Sequence, residues 1–210
     1  MAREASGLGR ENAGQRILDA SVRLFATRGY AATGIRPIAD AAGVTTAALY
    51  YYAQTKNDLL MNVMRTGLSE LLGSAQRAVA ALDDPVDQIR ALIDVHVRFG
   101  ASDPDRAKVI DNEVQWLEGE RRISIMTLRD EYEALWASVI ARGNMLRSFQ
   151  VQSESLARLA LLEMCNGLAH WYRPDGPMTL EEIVAVFEDM AFSLLRVRDT
   201  NPASPVTNDP

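Results

Sequence analysis

Apolar residues recur every three or four positions along nearly the whole chain, which is the spacing of one face of an α-helix. The pattern is clearest from Leu59 to Leu72, where leucine, valine and methionine form one continuous stripe. Asp-Pro steps, glycines and capping residues divide the rest into helices that begin near residues 85, 104, 123, 153 and 180. We expect the helix from Ile123 to end at Gly143 and the last helix to end near Arg198. No segment alternates with the period of a strand, so the sequence predicts an all-α fold of about nine helices.

The segment from residue 33 to residue 60 is predicted to form two short helices joined by a tight turn, followed by the capped start of a third. Its capping residues are Thr33 as the N-cap of the first helix, Gly43 as its stop, Thr45 as the next N-cap, and the capping box Thr55-x-x-Asp58. Two short helices around such a turn form the helix-turn-helix, whose second helix enters the major groove of DNA. Similar turns occur in helical proteins that bind no DNA, so the spacing alone decides nothing.

The side chains on the second short helix favour DNA as its partner. Three consecutive tyrosines on a solvent-facing helix indicate packing or a binding partner. We predict that Thr46 and Ala47 face base edges, while Thr45 and Lys56 belong to a group that contacts phosphates. The complete set of predicted DNA contacts is Thr33, Arg36, Thr45, Thr46, Ala47, Tyr50, Tyr51, Tyr52 and Lys56.

A family resemblance covers residues 14–62. The segment from Gly43 to Leu59 reads GVTTAALYYYAQTKNDL and resembles the pattern G-V-S-x-x-x-L-Y-x-Y/H-F-x-S/T-K-x-x-L of TetR/AcrR-type transcriptional repressors. Two departures are Ala53, where relatives carry Phe, and Ala47, where they often carry Gly or a polar residue. The resemblance implies an N-terminal three-helix DNA-binding domain joined to a helical ligand-binding and dimerisation domain.

A narrower resemblance covers residues 111–177. The segment LRDEYEALW from Leu128, together with Asn166 and the segment WYRPDGP from Trp171, is similar to a TetR subgroup that represses fatty-acid and steroid catabolism. This resemblance implies an acyl-CoA thioester as the effector. Many relatives carry Trp and Arg where this chain has Gly167 and His170, and these departures weaken the acyl-CoA inference.

Charge and composition agree with a division into head and body. The chain has 48% apolar and 24% charged residues and a net charge of −6, distributed as +3 over residues 1–56 and −9 over the remainder. A basic head on an acidic body fits a DNA-binding module beside a sensing module, although chance could also segregate the charges this way. The polar N-terminus, the lack of an apolar run of membrane length and the single Cys165 predict a cytoplasmic protein.

The body contains large apolar residues and a few polar residues that could form a ligand pocket. The predicted ligand contacts are His96, Trp116, Met126, Arg129, Tyr132, Trp136, Met164, Asn166, His170 and Trp171, with Asn166 taken from the resemblance. For each apolar member, an ordinary core position is the open alternative. Arg121 and Arg122 are interpreted as a solvated helix start.

The last two helices, residues 155–172 and 180–197, are apolar on more than one face. A helix of this kind usually packs against two partners, so we predict a homodimer joined through a four-helix bundle. Burial within one large monomer core is the alternative.

Searches for catalytic chemistry find nothing. Two histidines and one cysteine show no metal-ligand spacing, and no nucleophile elbow or phosphate-binding loop is present, so the sequence predicts neither an enzyme nor a cofactor. The predicted organisation is a flexible arm (1–10), a helix-turn-helix domain (11–55), a ligand-binding and dimerisation domain (56–198) and a disordered tail (199–210). The predicted function is a dimeric, ligand-responsive repressor of a palindromic operator. The alternatives are a helical small-molecule-binding protein and an efflux-type repressor that senses lipophilic compounds.

Overall fold

The computed structural model describes the backbone of residues 2–197 and the side chains of residues 13–197. Nine α-helices and one 3₁₀ helix make up this range, which contains no strand, and the predicted all-α fold is confirmed. The helices are α1 (Ala2–Arg28), α2 (Ile35–Ala42), α3 (Thr46–Tyr52), α4 (Lys56–Ala80), α5 (Pro85–Ser102), α6 (Pro104–Asn112), α7 (Gly119–Met145), α8 (Glu154–Trp171) and α9 (Leu180–Leu195), with the 3₁₀ helix Val114–Trp116 before α7. The predicted tail at 199–210 lies outside the described residues.

Helix α1 runs through the segment that the sequence predicts to be a flexible arm. Its backbone is helical from Ala2, and the early positions Arg3, Glu4 and Ala5 favour this conformation. The segment also contains no proline that would stop the helix. The helix ends at Arg28, and Gly29 follows with φ +79°.

The N-cap predicted for α2 is wrong by one residue. Gly34 occupies the N-cap position and makes no side-chain hydrogen bond there. The hydroxyl of Thr33 turns inward instead, where it donates to the carbonyl oxygens of Gly29 at 2.8 Å and Leu24 at 3.2 Å. Thr33 is only 2% exposed, because it closes the turn after α1 rather than the start of α2.

Two hydrophobic cores lie along α4. The head core joins α1, α2, α3 and the first half of α4 with a second group from α6, α7 and the intervening segment, namely Val109, Ile110, Leu117 and Ile125. The body core joins the second half of α4 with α5, α7, α8 and α9. Helix α4 therefore contributes to both cores, and body residues help to bury the head.

The predicted stop at Gly143 is also wrong. Helix α7 continues to Met145, and the chain reverses at Arg147 with φ +62°. Gly143 is needed for packing, since a Cβ atom there would lie 2.1 Å from the ring of Phe149. Phe149 is itself 1% exposed, so the glycine admits a core aromatic ring close to the helix backbone.

Within the described residues, no helix is both long and apolar enough to cross a membrane.

Candidate DNA-binding face and ligand cavity

Helix α3 is held by one buried residue and presents most of its other side chains to solvent. The hydroxyl oxygen of Thr45 accepts from the Ala48 N–H at 3.1 Å and caps the helix, as the sequence predicts. Leu49 is fully buried and anchors the helix on the head core. Thr46 and Ala47 are exposed on the first turn. In the helix-turn-helix geometry, this N-terminal turn is the part that approaches base edges.

The three tyrosines of α3 differ in their surroundings. Tyr51 is 82% exposed, whereas Tyr50 and Tyr52 are about half exposed, at 48% and 47%. The ring of Tyr52 lies over Gly14 of α1, where a Cβ atom would come within 2.2 Å of it. Tyr52 therefore braces α3 against α1 through the hydroxyl end of its ring, and about half of the residue stays exposed.

The side chain of Lys56 binds within the head. Its Nζ donates to the carbonyl oxygens of Tyr30 at 2.9 Å and Thr33 at 3.0 Å, and lies 4.1 Å from the centroid of the Tyr30 ring. An ammonium group has three N–H donors, so at most one is left for a phosphate. Lys56 thus joins the start of α4 to the turn between α1 and α2.

Three other residues complete the local geometry of the head. Arg36 is exposed on α2, in agreement with a role at the DNA surface. Arg16 donates from Nε to the carbonyl oxygen of Ala42 at 3.1 Å and closes the end of α2, a contact that no sequence pattern indicated. Ala53 is buried at the end of α3 and its N–H donates to the Leu49 carbonyl oxygen.

The body contains a cavity of about 130 Å³ between α4, α5, α6, α7 and α8. Four of the predicted ligand contacts line it, namely His96, Arg129, Tyr132 and Asn166. Its other lining residues include Leu68, Leu71, Phe99, Asp111, Glu133, Leu159, Leu162, Glu163 and Cys165.

Six predicted ligand contacts lie elsewhere: Trp116, Met126, Trp136, Met164, His170 and Trp171. Trp136 is fully buried in the body core, the open alternative for such residues. Trp116 reaches the head, where its ring centroid is 5.9 Å from that of Tyr30. Trp171 is 53% exposed.

Three polar side chains that line the cavity form a continuous series of hydrogen bonds, in which His96 and Tyr132 are buried and Asn166 is partly buried. The hydroxyl oxygen of Tyr132 lies 3.1 Å from Nδ1 of His96, and Nε2 of His96 lies 3.0 Å from Oδ1 of Asn166. Burial lowers the pKa of His96 from 6.5 to about 4, although the hydrogen bond with Asn166 partly opposes this shift. Burial also raises the pKa of Tyr132. Both rings are therefore uncharged at neutral pH.

The charged side chains of the cavity are concentrated on α6, α7 and α8. Burial raises the pKa of Asp111 to about 6; the positive charge of Arg129 lowers it, and the negative charge of Glu163 adds to the rise. Arg129 lies 3.3 Å from the Asp111 carboxylate and also donates to the Ile110 carbonyl oxygen. Glu133 pairs with Arg158 at 3.0 Å.

Helical spacing could have identified the acidic lining residues that sequence reasoning missed. Asp111 follows Ala107 by four residues, and Glu163 follows Leu159 by four residues, so each pair lies on one helix face. Large apolar residues dominate the predicted set of ligand contacts, which contains no carboxylate.

Several contacts connect the cavity region to the head. A Cβ atom on Gly67 of α4 would lie 2.7 Å from Arg106 and 2.8 Å from Ile110, so α4 and α6 cross closely there. Arg121 pairs with Asp58 at 2.7 Å, which corrects the interpretation of Arg121 as merely solvated. Burial raises the pKa of Asp58, but the hydrogen bonds from Arg121 and Thr55 outweigh it and the net shift is downward.

Exposed apolar side chains lie on α8 and α9, which pack against each other. They are Leu156, Leu159 and Trp171 of α8, and Val186, Met190 and Leu194 of α9, and we call them the α8–α9 apolar face. Each is at least 39% exposed, an unusual concentration of apolar surface for two neighbouring helices.

Comparison with known proteins identifies the class. Residues 17–63 match the family described as bacterial regulatory proteins of the tetR family, and residues 82–195 match the tetracyclin repressor-like C-terminal domain. The second match alone spans more than half of the chain. The chain therefore belongs to the TetR family, whose members are DNA-binding transcription regulators and not enzymes.

Individual relatives agree with this assignment. The HTH-type transcriptional repressor KstR2 of Rhodococcus jostii (strain RHA1) is 29% identical over 169 residues, which cover 80% of this chain and 83% of that protein. The TetR family regulator PfmR of Thermus thermophilus is 29% identical with a TM-score of 0.78, covering 88% of this chain and 99% of that one. The fold is also that of AibR in complex with isovaleryl coenzyme A and operator DNA. That structure is 24% identical, with a TM-score of 0.79, and the match covers 89% of this chain and 100% of that one.

Proposed function

We propose that this protein is a homodimeric transcriptional repressor that binds a palindromic operator and is modulated by a small ligand in the body cavity. The observation that carries the proposal is the path of α4. This helix begins at Lys56 in the head and passes Leu68 and Leu71 in the cavity wall. About 18 Å of one helix therefore joins the two sites, at 1.5 Å per residue.

The DNA-reading part of the proposal rests on α3. Thr46 and Ala47 approach base edges, with Ala47 offering only a methyl contact to thymine. Thr45, Tyr51 and the half-exposed Tyr52 contact phosphates. Lys56 has mainly a structural role, because two carbonyl oxygens already bind its ammonium group.

The dimer part of the proposal rests on the α8–α9 apolar face. A second copy of the same face would bury it in a four-helix bundle. Such a dimer places two copies of α3 on one duplex, where half-sites must lie about 34–36 Å apart. Since bacterial operators lie in the cytoplasm, the proposal places the protein there.

Ligand binding would alter the separation of the two heads. Ala107, Ile110 and Asp111 of α6 line the cavity, while Ile110 also belongs to the head core. A ligand that displaces α6 therefore acts on the head directly and on α4 through the close crossing at Gly67. A ligand can shift this equilibrium only by the difference in its affinity for the two states.

An acyl thioester is the effector class that we propose first. Support comes from the similarity to KstR2 and from the fold shared with AibR, whose structure contains isovaleryl coenzyme A. Efflux-type sensing of a lipophilic cation is the second candidate, because Asp111, Glu133 and Glu163 line the cavity against one arginine, Arg129.

A pair of matched variants tests the DNA-binding face. Thr46→Glu places a carboxylate on the first turn of α3, and Thr66→Glu makes the same change at an exposed position of α4. We expect Thr46→Glu to abolish selection of a palindromic sequence from a random DNA library, while Thr66→Glu retains it. Equal selection by both variants would remove α3 as the reading element.

A second pair tests the dimer. Met190→Glu charges the α8–α9 apolar face, whereas Met145→Glu charges an exposed methionine at the end of α7. Sedimentation equilibrium should show a weakened dimer only for Met190→Glu. A monomeric wild-type protein that still selects a palindrome would contradict the proposed assembly.

A further inference from the structure

The hydrogen bonds through His96 have a fixed direction. A neutral imidazole carries one N–H and one acceptor nitrogen. Nε2 faces the carbonyl oxygen of Asn166, which can only accept, so Nε2 carries the proton and donates. Nδ1 is then the acceptor, and the Tyr132 hydroxyl donates to it. Each donor in this series of hydrogen bonds points from Tyr132 towards Asn166, where the series ends.

The series of hydrogen bonds ends in the amide nitrogen of Asn166. Its oxygen is occupied by His96, so the amide cannot rotate without losing that hydrogen bond. Among the side chains and backbone that the structure describes, no acceptor binds its N–H groups, and the residue lines the cavity. A donor whose orientation is fixed in this way and that borders the cavity is available to an acceptor on a bound molecule.

The surroundings of Asn166 disfavour an anionic acceptor. His96 is uncharged, so the chain of hydrogen bonds ends in a neutral donor rather than a cation. Arg129 of the lining already pairs with Asp111, and Glu133 pairs with Arg158, so the third lining carboxylate, Glu163, adds a negative charge that disfavours a ligand carboxylate. A carbonyl oxygen satisfies the donor without that repulsion.

The apolar part of the cavity is small. Leu68, Leu71, Phe99 and Leu162 supply aliphatic and aromatic walls around about 130 Å³. An apolar cavity of about 150 Å³ holds one benzene molecule. This volume suits an apolar group of about four to six carbon atoms and is smaller than a fused-ring skeleton or a long acyl chain would need.

We propose that the cavity binds a short, uncharged acyl group whose carbonyl oxygen accepts a hydrogen bond from the amide nitrogen of Asn166. His96 and Tyr132 are positioning residues that fix the direction of this amide. The inference rests on the proposed function, because it names the ligand class of the same cavity. It favours a short-chain thioester over a free acid, a steroid-sized ligand and a lipophilic cation.

Isothermal titration of the full-length protein tests the ligand class. The probes are acyl chains of about four to six carbons, presented as N-acetylcysteamine thioesters, as coenzyme A thioesters and as free acids, together with palmitoyl coenzyme A and tetraphenylphosphonium. We expect both short thioesters to bind, and the free acids to bind about tenfold more weakly or worse. If only the coenzyme A thioesters bind, recognition lies on the nucleotide and the inference is overturned. Preferential binding of the free acids, of palmitoyl coenzyme A or of tetraphenylphosphonium would also overturn it.

Asn166→Asp tests the donor, since it replaces the amide nitrogen with an acceptor oxygen of similar size. We expect affinity for the short thioester to fall about tenfold or more, while Asn62→Asp on α4 leaves it unchanged. Unchanged affinity in Asn166→Asp would overturn the inference. A thermal melt and operator binding without ligand show that each variant is folded.

Tyr132→Phe tests positioning. Nitrogen NMR of wild-type His96 should show the proton on Nε2, and loss of the Tyr132 hydroxyl should give a mixture of tautomers and weaker thioester binding. A proton on Nδ1 in the wild type would overturn the proposed direction of the hydrogen bonds.

Operator binding separates this inference from the proposed function. Thioester binding that requires Asn166 but leaves operator affinity unchanged would support the ligand class and contradict ligand control. Specific operator binding with no affinity for any short acyl probe would contradict the ligand class and leave the repressor intact.

Discussion

Acidification should destabilise the protein through His96. In the folded protein its pKa is about 4, against an ordinary value of 6.5, because the imidazole is buried. Between these two values the unfolded chain binds a proton that the folded chain does not. Stability therefore falls as pH falls from about 6.5 towards about 4. Integrating this difference from about pH 7 to about pH 5 gives a loss of about 2 kcal/mol in the free energy of unfolding.

Asp111 has the opposite influence on the pH dependence of stability, so it must be substituted before the contribution of His96 can be measured. Its folded pKa is about 6, above the ordinary value of 3.8, so the folded protein takes up a proton first as pH falls. This adds about 1 kcal/mol of stability over the same pH interval. The wild-type protein should consequently show only a small net change from the two groups.

Urea unfolding at about pH 7 and about pH 5 measures the contribution of His96. In the Asp111→Asn background we expect the free energy of unfolding to fall by about 2 kcal/mol on acidification. Adding His96→Asn should remove this fall. If the variants with and without His96 depend equally on pH, the buried neutral imidazole and the magnitude derived from it are both refuted.

Substitutions at Gly14 and Gly67 give two further tests. Gly73→Ala is the control for both, because a Cβ atom at residue 73 would meet only the flexible end of Arg77, at 3.3 Å. Gly14→Ala should displace Tyr52 and weaken operator binding in an anisotropy titration, although alanine favours the helix by about 1 kcal/mol. Affinity equal to that of Gly73→Ala would show that Tyr52 does not brace α3. Gly67→Ala should force α4 and α6 apart at a cost of about 1–3 kcal/mol in urea unfolding, whereas Gly73→Ala should be neutral or stabilising. Stabilisation by Gly67→Ala would contradict the close crossing.

Local signals in the sequence were sufficient for the helix boundaries that depend on neighbouring residues. The capping boxes at Thr55 and Thr179 both form, and Gly43 ends α2 with φ +65°. Each of these features involves groups within four residues of one another, so the sequence contains all the partners. The helix-turn-helix was predictable for the same reason.

Features that depend on partners outside the helix concerned were missed. Thr33 resembles an N-cap, but carbonyl oxygens of α1 and Gly29 compete for its hydroxyl. Gly143 resembles a stop, but Phe149 requires it for packing. Lys56 was predicted as a phosphate contact, and the two hydrogen bonds that its ammonium group makes with the turn after α1 were not foreseen. In each case the deciding partner lies in another element.

The cavity was predictable only in part. His96, Arg129, Tyr132 and Asn166 were identified, whereas Asp111 and the other carboxylates were not. Which face of a helix borders a cavity depends on how five helices cross, and apolar periodicity does not contain that information. A large residue such as Trp136 satisfies the pattern equally well in a solid core.

In the proposed mechanism, a ligand in the body cavity controls DNA binding by the head. A fluorescence-anisotropy titration on the DNA upstream of the gene, with and without a short-chain acyl thioester, tests it most directly. We expect salt-sensitive binding that exceeds binding to random DNA and changes when the thioester is present. Equal binding to upstream and random DNA, unaffected by any ligand that titration shows to occupy the cavity, would contradict it.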